Sequence, residues 1–140
     1  MASEEATAAI CQYATDAFDY WKANASETQK AQGTAELNRY MTEPEYAQSE
    51  TAKALAAFTA AGEGSERLNT AQYTAFQQTM FVNEKAKGQF VDERNESFIA
   101  EYNALNAINP AADGISQEEW TAGMGIMMGK FMELKAAAGL

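Results

Sequence analysis

Few side chains in this chain can do chemistry, and those that can are mostly oxygen donors in two polar stretches. "AADGISQEEW", residues 111–120, places an Asp-Gly turn beside a lone aliphatic residue, Ile115, and then a Ser, two Glu and a Trp. Such a stretch suits two jobs: holding a hard cation in a loop, or stopping one helix and starting the next. "AGEGSERLNTAQYTAF" has the same plan, a polar loop with Leu68 in its middle and a helix start just after. The rest of the inventory is thin. There is no His, which removes the usual general base, the Ser-His and Cys-His nucleophile pairs and His-type zinc ligation. The single Cys11 has no internal disulfide partner and lies among Ala, Ile and Tyr, as a buried structural thiol does. No motif singles out carboxylate or Lys chemistry, so a non-enzyme is expected.

Helices must position these loops. Ile10, Ala14, Phe18 and Trp21 recur at i, i+4, i+8 and i+11, one stripe of an amphipathic helix that Ser3 can cap. "ANASETQKAQGTAELN" is polar around Gly33 and reads as a loop or broken turn. Thr42 reads as the cap of a helix with Pro44 in its first turn and with Leu55 and Phe58 inward. "AGEGSER" breaks that helix, and Thr70 opens the next, with Tyr73, Phe76 and Met80 on one face. After Gly88, Phe98, Tyr102, Leu105 and Ile108 share a further stripe, which Pro110 and Gly114 end. Trp120, Met124, Met127, Phe131 and Leu134 recur at helical spacing in the last segment. No strand-length alternation occurs, and the predicted class is all-α with about five helices. We divide the chain into 1–45, a helix and loop, and 46–140, a pair of helix–loop–helix units.

At 140 residues with 46% apolar side chains, the chain can build one domain, or two small lobes sharing a core. Its formal charge of −10 repels nucleic acid and anionic membranes, and suits cations or a basic partner helix. The acidic N-terminus lacks an apolar signal region, and no apolar run approaches a membrane span. A cytoplasmic protein is expected, cytoskeletal association being one setting.

The two polar loops and their flanking helices, over roughly residues 46–135, resemble the EF-hand family. "DGIS" followed by "EEW" is similar to the ends of loops in sarcoplasmic calcium-binding proteins and calcium-regulated photoproteins. In that family a loop of about twelve residues supplies oxygens from positions 1, 3, 5, 7, 9 and 12, with Gly at 6. An aliphatic residue at position 8 pairs by backbone with its sister loop. The resemblance therefore implies a short bridge between Leu68 and Ile115. It also implies that the first loop, Ala61–Gln72, is degenerate. Glu63, Ser65 and Asn69 supply oxygens at 3, 5 and 9, but Ala61 replaces the opening Asp, Glu66 the Gly, and Gln72 the bidentate Glu. In the second loop the implied ligands are Asn109, Asp113, Ser116 and Glu119. That loop is one residue short and stiffened by Pro110, so at most weak Ca²⁺ binding is expected, and no other cofactor. Without metal, Asp113 and Gly114 make a turn, and Ser116 caps the last helix with Glu119 as its capping-box partner. A third stretch, "GTAELNRYM" at 33–41, echoes "GSERLNTAQ" at 64–72, as a decayed hand or a chance match would.

Two function classes follow. One is a partner-binding or structural module whose vestigial calcium loops hold one state without metal. The other is a Ca²⁺ sensor or buffer with one weak site. Trp120, Met124, Met127, Met128 and Phe131 read as plain core, or as an adaptable groove for an apolar or basic partner helix. The N-terminal helix, with Phe18 and Trp21 as anchors, could itself fill that groove.

Overall fold

The computed structural model describes residues 2–140 as six helices and one two-residue ladder. Helix α1 (Glu4–Asn24) begins at Ser3, whose hydroxyl accepts from the Ala6 N–H. Glu4 and Glu5 complement the positive end of its dipole. Ile10, Ala14 and Phe18 are buried, as their spacing requires. Trp21, expected to be buried with them, ends the stripe only half-buried, with its ring stacked 5.5 Å from that of Phe18.

Helix α2 (Glu27–Thr42) occupies the segment expected to be a loop. Ser26 and Gln29 form a reciprocal capping box that satisfies two free N–H groups at its start. One interior glycine costs about 1 kcal/mol, too little to break a capped helix of 16 residues. Gly33 also faces a neighbour, since a Cβ there would lie 3.8 Å from the Trp21 indole. The 33–41 echo therefore lies inside continuous helix, and no third loop exists there. Thr42 is not a cap either. It is the last residue of α2 and donates its hydroxyl to the Asn38 carbonyl at 2.7 Å. Only Glu43 separates α2 from α3 (Pro44–Gly62), where Pro44 sits in the first turn and its missing N–H costs nothing.

The remaining elements form two helix–loop–helix units. The first is α3, β1 (Arg67–Leu68) and α4 (Thr70–Ala86); the second is α5 (Asn95–Asn106), β2 (Ile115–Ser116) and α6 (Gln117–Ala137). β1 and β2 pair antiparallel, with Leu68 opposite Ile115 and Arg67 opposite Ser116. The expected bridge is present, and both aliphatic side chains are fully buried. Gly114 makes it possible: its φ is +93°, and a Cβ there would stand 2.5 Å from the Leu68 carbonyl oxygen.

One core spans all of this. Leu68 and Ile115 meet Phe58, Tyr73, Phe76, Leu105 and Met127, and Ile10 and Ala14 of α1 belong to the same cluster. Each large apolar side chain contributes roughly 1.5–3 kcal/mol on burial, so α1 is an integral part of the core. Helix α6 takes α1 along its length and meets α5 closely at Gly123, where a Cβ would clash with Leu105.

Candidate functional site

The two loops meet across the ladder, and one side chain crosses it. Arg67 leaves β1 and lays its guanidinium on the second loop. Nη1 donates to Glu119 Oε1 at 2.9 Å and to the Gly114 carbonyl at 2.9 Å, and Nη2 donates to Glu119 Oε2 at 3.0 Å. Glu119 Oε1 also accepts from the Ser116 N–H, and Ser116 Oγ accepts from the Glu119 N–H, which closes the expected capping box. The Asn109 side chain lies near enough to the same carboxylate to favour its charged form. Burial pushes Glu119 up, but the bonds from Arg67 and Ser116 outweigh it and hold the carboxyl below its usual range. The Arg67 guanidinium is raised by the same bond.

Of the implied second-loop ligands, Asn109, Ser116 and Glu119 therefore converge. Asp113 does not: it is exposed in the turn before Gly114. What sequence reasoning missed is Arg67. The signal was there, since a residue beside the bridging Leu68 projects toward the sister loop once the bridge is drawn.

In the first loop the oxygens serve the backbone. Ser65 Oγ bonds the Arg67 carbonyl at 2.7 Å. Asn69 caps α4 by accepting from the Gln72 N–H at 2.9 Å, and the Gln72 side chain returns a bond from the Asn69 N–H. Its Nε2 also donates to the Gly62 carbonyl at 3.3 Å. Glu63 caps α3 in the left-handed conformation and points to solvent, with φ of 48°.

The Met-rich face of α6 lies inward. Met127 is buried, and Trp120, Met124 and Phe131 pack against the core. Trp120 stands edge-on to Phe76 with centroids 5.4 Å apart. Helix α1 covers this face, as the Phe18 stripe suggested. Met128 lines a half-open cavity of about 340 Å³ between α1, α2, α4, α5 and α6.

At the cavity wall lies a polar cluster that the sequence reading did not select. Glu101 is buried and accepts from the Tyr73 hydroxyl, with Tyr13 close by. Gln77 in turn donates to Tyr73. Burial raises Glu101, Tyr73 and Tyr13 above their ordinary values. Glu84, on the same wall, is pushed up to about 7 by burial and by the like charges of Glu101 and Glu36. A carboxylate between Phe98 and Leu105 on an apolar stripe was the legible sign of this cluster.

No family model, curated protein or solved structure matches the chain. Among the described residues no helix is long and apolar enough to cross a membrane.

Proposed function

We propose that this chain is a non-catalytic, EF-hand-like helical module of the cytoplasm that works as a structural or partner-binding scaffold without Ca²⁺. The observation that carries this reading is the bidentate Arg67–Glu119 pair. Glu119 holds the position that would clamp Ca²⁺ with two oxygens in the family the loops resemble. Here both oxygens already face a guanidinium, and a carbonyl of the same loop faces it too. Arginine's planar fork matches a carboxylate in just this two-point way. The cation is thus part of the chain and cannot dissociate. A net charge of −10 favours a basic partner helix on the outer surface. The α6 face is taken by α1, so a partner that used it would first have to displace α1.

The competing reading is a sensor or buffer with one weak site. It draws on the convergence of Asn109, Ser116 and Glu119, and it requires Arg67 to swing out. Calorimetric titration of the whole chain with Ca²⁺, with Mg²⁺ as control, separates the two. The scaffold reading expects no saturable heat up to millimolar Ca²⁺. Saturation at micromolar Ca²⁺ with no Mg²⁺ response overturns it in favour of the sensor.

A further inference from the structure

We propose that the cavity beneath α2 binds one small amphiphile, an aromatic or alkyl body bearing a protonated amine, with Glu84 anchoring the amine. At about 340 Å³ the cavity falls at the lower end of the range of ligand sites. Its wall is chiefly aromatic and sulfur-bearing, with Phe18, Trp21, Phe81, Phe98, Met128 and Phe131. That surface suits a flat or flexible apolar body.

The charge pattern selects the head group. Three carboxyls reach the wall. Glu101 is engaged by Tyr73, and Asp92 by Arg94 at 2.8 Å. The Glu84 carboxyl has no hydrogen bond and no ion pair among the described residues, and its electrostatic neighbours are the like charges Glu101 and Glu36. Lys87, which lines an adjoining recess with Glu84, is held by Glu36 and Glu50. A partly buried carboxyl beside two like charges lacks a counter-charge, and an ammonium in the cavity supplies it. An anionic head would meet repulsion at the same place. Lys135 is the one ammonium on the described cavity wall, and it forms no ion pair there, so an anionic probe belongs in the test. Gly33, Leu37 and Met128 line both the cavity and the recess, which places the route of entry under α2. That helix has no fully buried residue of its own.

Calorimetry on the full chain with naphthylethylamine, naphthylethanol and naphthylacetate tests this directly. The expected result is one site per chain, with the amine bound at least about tenfold tighter than the alcohol, and the acetate weakest. Glu84→Gln should cost the amine about tenfold and leave the alcohol unchanged. Met128→Trp should fill the cavity and weaken all three, with circular dichroism showing that both variants keep their helices. Attraction of any amine to the acidic surface would give several sites and no response to Glu84→Gln, and would overturn the proposal. Tighter binding of the acetate would overturn it in favour of Lys135, and absence of binding by all three would overturn it outright. The comparison of the three probes on the unaltered chain needs no variant to fold.

Discussion

Gln72 and Glu119 occupy the same place in two loops, three residues after the cap of the following helix, yet they do opposite things. Gln72 is neutral and finds all its partners in its own loop, the Asn69 N–H and the Gly62 carbonyl. Glu119 also completes a capping box, but a half-buried carboxylate needs a counter-charge, and its own loop has none. Arg67 of the other loop supplies it. The loop with the neutral Gln72 satisfies that side chain by itself. The loop with the charged Glu119 depends on its neighbour. An amide accepts and donates, while a carboxylate only accepts, and that difference decides whether a loop closes on itself or couples to another.

The largest expected effect tests whether the two loops share one structural unit. Leu68→Ala and Ile115→Ala should each cost about 2–5 kcal/mol in denaturant unfolding, by similar amounts because both are fully buried in one cluster. A large cost at one and almost none at the other would break the pairing. The next effect separates the loops. Gly114→Ala must strain a φ of +93° and press a Cβ onto the Leu68 carbonyl, a cost of roughly 2–4 kcal/mol. Gly64 has the same φ but open space around it, so Gly64→Ala should cost only about 1 kcal/mol. Equal costs would mean that the second loop is no more tightly docked than the first.

A smaller effect lies in acid. The folded Glu119 carboxyl titrates below its unfolded value, so the unfolded chain binds more protons there as pH falls. The stability it contributes is present above the ordinary carboxylate pKa and is lost as pH falls through the folded one. Glu119→Gln should be less stable than the parent at neutral pH and should converge with it in acid, whereas Gln72→Ala should show a pH-independent gap. Thermal melts across the acid range read both differences.

Helix existence was legible wherever an apolar stripe was strong, as for Ile10, Ala14 and Phe18, and the bridge was legible once Leu68 and Ile115 were matched. Helix α2 was not, because it buries no stripe: its start rests on the Ser26–Gln29 box, and Gly33 obscured its middle. Thr42 misled because Pro44 marks a helix start in any case, while a threonine can equally close the helix before it. The site was half legible. Asn109, Ser116 and Glu119 do gather, but Arg67 is conspicuous only when two loops 47 residues apart are set side by side. Asp113 was the opposite case, a plausible ligand by position that the Gly114 turn leaves in solvent.

Terbium emission sensitised by Trp120, beside Glu119, tests the central claim most directly. With Arg67 in place, the parent chain should give no saturable emission at micromolar terbium. Arg67→Ala releases both Glu119 oxygens and the Gly114 carbonyl from the guanidinium, and should gain emission that Glu119→Gln then removes. Saturable emission from the parent at low micromolar metal, abolished by Glu119→Gln alone, would contradict the account and make the second loop a metal site.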